Sequence, residues 1–140
     1  ENCIILGQGP DEMFLGYEKH LQLNPREAEE ESKKSIKELK YSILQNEATL
    51  SSFNKRAIFP YLEKGLIEFS SKLPYEFKIN NSIRKYILRK LALKLGLKEE
   101  TAFRQKKAMQ YGTGVRQALV NIAKKQGLIV SKLIEKILNH

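Results

Sequence analysis

The sequence predicts a mainly α chain with one N-terminal strand, lying in the helical C-terminal part of a larger α/β domain. Two observations carry this. A short apolar run, Cys3-Ile4-Ile5-Leu6, ends at Gly7, which is the pattern of a strand buried on both faces of a parallel sheet. No second run of that quality follows; apolar residues instead recur at helical spacing along the rest of the chain. A lone strand cannot satisfy its own backbone groups, so its sheet partners are expected upstream. With 140 residues and 41% hydrophobic content, the chain suits a single domain fragment over residues 1–140 rather than two domains.

After the glycine turn, residues 11–20 are expected to form a short helix, started by Pro10 or Asp11, with Met13, Phe14 and Tyr17 on one side. Asn24 is a good N-cap for the next helix. Pro25 fits its first position, Glu27, Glu29, Glu30 and Glu31 suit its positive end, and Ile36, Leu39 and Ile43 form a stripe reaching about Asn46. Residues 47–55 extend or restart that helix. Phe59-Pro60 breaks it, because the residue before a proline avoids helical geometry.

A third helix starts near Tyr61, carries Leu62, Leu66 and Phe69, and stops at Leu73-Pro74. Over residues 82–95, Ile83, Ile87 and Leu91 alternate with Arg84, Lys85, Arg89, Lys90 and Lys94, which predicts a basic-faced helix closed by Gly96. A helical turn over residues 99–103 precedes a loop at Arg104-Gln105-Lys106-Lys107. Thr113 then caps a helix with Val115, Leu119 and Ile122; Gly127 ends it, and Ser131 caps a last one with Leu133, Ile134, Ile137 and Leu138.

Lys and Arg number 25 against 16 acidic residues, a formal charge of +9. Such an excess favours polyanions, nucleotide phosphates or RNA, and equally serves solubility. No apolar run is long enough to span a bilayer and no signal pattern opens the chain, so a soluble, cytoplasmic protein without membrane partners is expected. Cys3, the only cysteine, reads as a buried filler, and His20 and His140 as isolated solvated residues.

The segment Leu6-Gly7-Gln8-Gly9-Pro10-Asp11-Glu12 places two glycines and an acid between a strand end and a helix start. Backbone N–H groups there can face an anion, glycines let it approach, and Asp11 can hold a magnesium ion bridging phosphates. The same spacing also serves an ordinary strand-to-helix turn.

At these residues the chain resembles the asparagine synthetase family. Residues Gly7-Gln8-Gly9-Pro10-Asp11-Glu12-Met13-Phe14-Leu15-Gly16-Tyr17 are similar to its Ser-Gly-Glu-Gly-Ser-Asp-Glu-x-Phe-Gly-Gly-Tyr stretch. Phe59-Pro60-Tyr61-Leu62-Glu63 resembles its Val-Pro-Phe-Leu-Asp, and Lys85-Tyr86-Ile87-Leu88-Arg89 its Lys-x-Ile-Leu-Arg. Arg104-Gln105-Lys106-Lys107 with Gly112-Thr113-Gly114 resembles its Arg-x-Lys loop and the glycines after it.

The resemblance covers residues 1 to about 126. It implies an adenine-nucleotide α-hydrolase-like (ATP pyrophosphatase) domain, which uses ATP and Mg to adenylate a carboxylate and releases pyrophosphate. Gly7, Gln8, Gly9 and Asp11 would then sit by the pyrophosphate and its metal, with Lys106 as the catalytic cation neutralising developing charge and Arg104 assisting or capping a helix. The implied partners are a nucleotide and a small-molecule substrate; a homodimer is a further candidate, with the oligomeric state left open.

Two departures stand out. Gln8 replaces the family's glutamate and cannot act as a general base. Arg56-Ala57-Ile58 stands where the family has Glu-x-Arg, so the chemistry has either changed acceptor or been lost. The family's Ser-Gly-Gly-x-Asp-Ser triphosphate grip is absent from these residues, and the chain alone is therefore not expected to turn over ATP. The alternative is a helical module, catalytically degenerate or binding RNA through residues 82–95 and 104–107, related to tRNA-modifying ATP pyrophosphatases.

Overall fold

The structure, a computed structural model, describes residues 2–105 and 112–138. They fall into two compact units, Glu1–Ala102 and Phe103–His140.

The first unit opens with β1 (Cys3–Ile5) and continues through α1 (Pro10–Met13), a 3-10 helix (Glu18–Gln22) and α2 (Pro25–Ser52) to β2 (Arg56–Ile58). Strand β2 lies parallel to β1, with Cys3 opposite Arg56, Ile4 opposite Ala57 and Ile5 opposite Ile58. The expectation of one lone strand is thereby overturned. Three residues are too few to show alternation, and what makes Arg56-Ala57-Ile58 a strand is its distant partner rather than its own pattern.

Beyond β2 come a 3-10 turn (Pro60–Leu62), α3 (Lys64–Lys72) and α4 (Tyr75–Lys78). A tight antiparallel hairpin of β3 (Ile79–Asn80) and β4 (Ile83–Arg84) follows, then α5 (Tyr86–Lys94) and α6 (Glu99–Ala102). The hairpin takes the first residues of the basic helix expected from Ser82. Asn81 at φ 47° and Ser82 at φ 62° make the two-residue turn with both φ positive, whose twist matches that of paired strands.

The expected helix over residues 11–20 is also divided. Leu15 turns to φ 55° and the Gly16 N–H donates back to the Asp11 carbonyl at 2.8 Å, closing α1 after one turn.

Helix α2 follows its sequence signals and runs past Asn46. The Asn24 side chain accepts the Glu27 N–H at 3.0 Å, while the Glu27 carboxylate accepts the Asn24 N–H at 2.9 Å. Its buried face is small and polar as well as apolar, comprising Ala28, Ser32, Ser35 and Leu39. Small side chains let α1 lie close, and the Ser32 hydroxyl donates to the Glu12 carbonyl at 2.7 Å. Leu15, Ala28 and Ile79 form a core cluster, with Leu23 and Tyr75 packed against it.

Cys3 is exposed, contrary to the expected buried filler, because β1 is paired along one edge and its faces are bare; Ile5 is 69% exposed. His20, expected in solvent, is fully buried.

In the second unit, α7 (Val115–Lys125) packs on α8 (Val130–Leu138), burying Ala123 and Leu133. Gly114, at φ 74°, rather than Thr113, occupies the N-cap of α7. No helix among the described residues is long and apolar enough to cross a membrane.

Candidate functional site around Asp11 and Lys85

Pairing of β1 with β2 extends one residue past the strand, where the Leu6 N–H donates to the Ile58 carbonyl at 2.8 Å. The chain then turns through Gly7, Gln8 and Gly9. A Cβ on Gly9 would lie 2.7 Å from Leu62 Cδ2 and 3.4 Å from Tyr61 Cβ, and its φ is +108°. Only glycine lets the loop lie against the Pro60–Leu62 turn, so two of the sequence motifs are neighbours because of it. Gly7 has open space where a Cβ would point.

Pro10 starts α1 and places Asp11 in its first turn. The Asp11 carboxylate lies 3.1 Å from the Lys85 ammonium, and each side chain is about one-quarter exposed, at 25% and 24%. Gly16 also lies against the aspartate: a Cβ there would fall 1.9 Å from Asp11 Oδ1 and 2.8 Å from its Cα. The acid thus touches both a backbone and a cation.

Lys85 reaches this position by an uncommon backbone. It sits at φ 54°, ψ 38°, as the N-cap residue of α5 directly after the hairpin, a conformation that costs a non-glycine residue about 1 kcal/mol. Arg89 keeps it there. Its Nε donates to the Arg84 carbonyl at 2.9 Å and an Nη to the Ala102 carbonyl at 2.7 Å, tying hairpin, α5 and α6 together. Burial, and then the Arg84 charge, lower the Arg89 pKa, but a guanidinium retains its proton and continues to donate.

Glu12 and Tyr17 form a second pair, with the Tyr17 hydroxyl donating to the largely buried Glu12 carboxylate. Burial first, and then that bond, push the phenol pKa up, so the hydroxyl stays a donor. Gln8 donates to the Ser42 hydroxyl at 3.4 Å, while its Oε1 is enclosed without a hydrogen-bond partner among the described residues.

Gly7, Gln8 and Gly9 form the turn into α1, and Asp11 lies in the first turn of that helix. Lys106 lies outside the described residues, so its approach to that loop does too. Arg104 belongs to the second unit. Lys85 was missed as a site residue although its segment had been matched. The signal was Asn80-Asn81-Ser82, a turn that makes Lys85 a helix start rather than a point on a helix face.

Among the described residues no three His, Cys, Asp or Glu side chains gather to hold a metal. Asp11 alone suits magnesium that arrives on phosphates, which commonly takes one or two protein carboxylates and keeps its other ligands as phosphate and water. The described residues fit an ion that arrives with its substrate.

The sequence model for asparagine synthase matches residues 39–128. A Methanocaldococcus jannaschii protein, provisionally named asparagine synthetase (glutamine-hydrolyzing) 1, is 26% identical over 94% of this chain and 31% of its own length. The asparagine synthetase (glutamine-hydrolyzing) of Gallus gallus is 35% identical over 61% of this chain and 16% of its own. Asparagine synthetase domain-containing protein 1 of Homo sapiens is 28% identical over 80% of this chain and 19% of its own. This chain thus spans less than a third of each of these relatives. No solved structure matches it. With the family's match covering well over half of its residues, the chain belongs to the asparagine synthase family.

Proposed function

We propose that this chain supplies the pyrophosphate-facing part of an ATP-dependent, asparagine-synthetase-like ligase. The observation that carries the reading is the Asp11 and Lys85 pair beside the open Gly7 turn. In the reaction, a carboxylate oxygen bonds to the α-phosphorus of ATP, the bond from that phosphorus to the β-bridging oxygen breaks, and pyrophosphate leaves with the electron pair. Magnesium, where bound, screens the charge on that leaving group.

Each residue has a part in managing that charge. Asp11 would hold the substrate-borne metal, and Lys85 sets its ammonium against the pyrophosphate oxygens; the family resemblance gives Lys106 a like task. Cations placed where charge develops lower the barrier more than they tighten the ground state. Gly7 leaves room for the phosphate. Gln8 cannot take a proton, so it orients the acceptor carboxylate or its amine rather than acting as a base. The nitrogen donor and the acceptor are set by residues beyond this loop.

Calorimetric titration of the full-length protein with ATP tests the reading. Binding should require magnesium, and Asp11→Asn and Lys106→Ala should each weaken it roughly tenfold, the worth of one charge-assisted contact. Equal affinity in the wild type and both variants would refute it.

A further inference from the structure

We propose that the cavity between α1 and α2 is a site for a small organic cation, a primary ammonium group on a short apolar stem, with Glu12 as its countercharge. The inference goes beyond the phosphate reading: it stands on Glu12 and not on Asp11, and it holds whatever the glycine turn binds.

The first observation is a buried charge. Glu12 follows Asp11 in α1 and so lies about 100° further round the helix. It is 8% exposed, and among the described residues its carboxylate forms no ion pair; its hydrogen-bond partner is the Tyr17 hydroxyl. A neutral hydroxyl satisfies one lone pair without supplying a positive charge, whereas buried carboxylates are ordinarily matched by a cation.

The second observation is the space beside that carboxylate. Glu12 lines a cavity of about 290 Å3 with Tyr17, Lys19, Ser35, Glu38, Leu39 and Ser42. Such a volume lies near the roughly 300 Å3 lower end for small-molecule sites, which limits the ligand to a few heavy atoms. Ser35, Glu38, Leu39 and Ser42 recur at i, i+3, i+4 and i+7, so they form a single stripe of α2 that makes the second wall. Lys19 does not neutralise Glu12: its ammonium pairs with Glu31 and lies 5.8 Å from the Tyr17 ring centroid. Glu38, largely exposed and 4.0 Å from Lys34, adds a second and more screened negative charge.

The third observation is the direction of the hydroxyl hydrogens. Ser35 donates to the Glu31 carboxylate at 3.4 Å and Ser42 to the Leu39 carbonyl at 3.0 Å, while Tyr17 donates to Glu12. With those hydrogens committed, the hydroxyls offer a ligand their lone pairs. A wall made chiefly of acceptors selects N–H donors and rejects anions. An ammonium carries three such donors, and one carboxylate with two serine oxygens can meet them. A divalent metal is served worse, because no three ligating carboxylates, histidines or cysteines gather among the described residues. Leu39 supplies the apolar surface for a stem. Gln8 donates to Ser42 at 3.4 Å, so the glycine turn braces the same wall.

The test compares three probes of one length on the full-length protein by saturation-transfer NMR at neutral pH and low salt: n-butylammonium, 1-butanol and butyrate. Only n-butylammonium should give a saturable signal. The chain's charge of +9 repels cations in general, so such a signal reports a local site. Glu12→Gln, which keeps an acceptor for the Tyr17 hydroxyl, should weaken n-butylammonium roughly tenfold or more, the worth of a charge-assisted bond. Glu38→Gln should weaken it by no more than about threefold, as an exposed charge does.

Thermal melting by circular dichroism checks that the Glu12 variant is folded; if it is not, the three probes on the wild type decide alone. A wild-type response to n-butylammonium no greater than that to 1-butanol overturns the proposal. So does undiminished binding by folded Glu12→Gln, and loss of the n-butylammonium signal on adding equimolar magnesium chloride would give the cavity to a metal ion instead.

Discussion

Leu15 shows what a single residue contributes against its own backbone preference. It holds φ 55°, yet its side chain is 1% exposed and belongs to the cluster with Ala28 and Ile79. Left-handed geometry costs a leucine about 1 kcal/mol, whereas burying the side chain returns about 2 kcal/mol, so packing wins and the strained turn persists. The resembling family stretch has glycine at this point, which avoids the strain and forgoes the burial. Truncation therefore has two components that can be separated. Leu15→Ala should lose about 2 to 5 kcal/mol, keeping the strain and losing the packing. Leu15→Gly should lose about 1 kcal/mol less, because glycine adopts this φ freely. Urea unfolding of the two variants measures the order; an alanine variant more stable than the glycine variant would contradict this account.

At the scale of elements, the 3-10 helix Glu18–Gln22 is held by one imidazole. His20 Nδ1 accepts the Tyr17 N–H at 3.2 Å, so the neutral ring carries its proton on Nε2, in a fully buried position. Burial lowers the His20 pKa from 6.5. The unfolded chain therefore takes up this proton at a higher pH than the native one does. The stability gained from the neutral ring is complete above the unfolded value and is lost as pH falls through the folded value. The thermal midpoint, followed by circular dichroism, should drop as pH falls below 6.5. His20→Asn, which retains an acceptor and does not titrate, should flatten that slope; an unchanged slope would assign it elsewhere. This burial was not legible in the sequence, where His20 lies between Lys19 and Leu21 with no helical or strand period around it, and neither was β2, which exists only through β1. What is local was legible: Asn24, Pro25 and Glu27 start α2 as read, and Pro10 starts α1 directly after the Gly7–Gly9 turn. The ion pair to Lys85 depends on the hairpin before α5, and the helical spacing of Ile83, Ile87 and Leu91 hid that hairpin.

Over the whole molecule, the charge of +9 draws any polyanion, so attraction alone does not separate a nucleotide enzyme from an RNA-binding module. Position does. Lys90 and Lys94 line a shallow groove with Ile87, Leu91 and Leu93 on α5, while Lys85, at its N-cap, meets Asp11. If phosphate recognition belongs to the Asp11 loop, the groove lysines contribute to it only through a screened field that fades over about 10 Å at moderate salt. If a nucleic acid backbone lies along α5, the same lysines touch it. The double variant Lys90→Gln/Lys94→Gln separates these cases in one protein. In filter binding to single-stranded RNA, losing two phosphate contacts should reduce the slope of log affinity against log salt by roughly 1.4. Affinity for pyrophosphate with magnesium should change by less than about twofold over the same salt range, since a screened field contributes little. A pyrophosphate loss as steep as the RNA loss would mean that the basic face of α5, and not the loop at Asp11, is what holds phosphate.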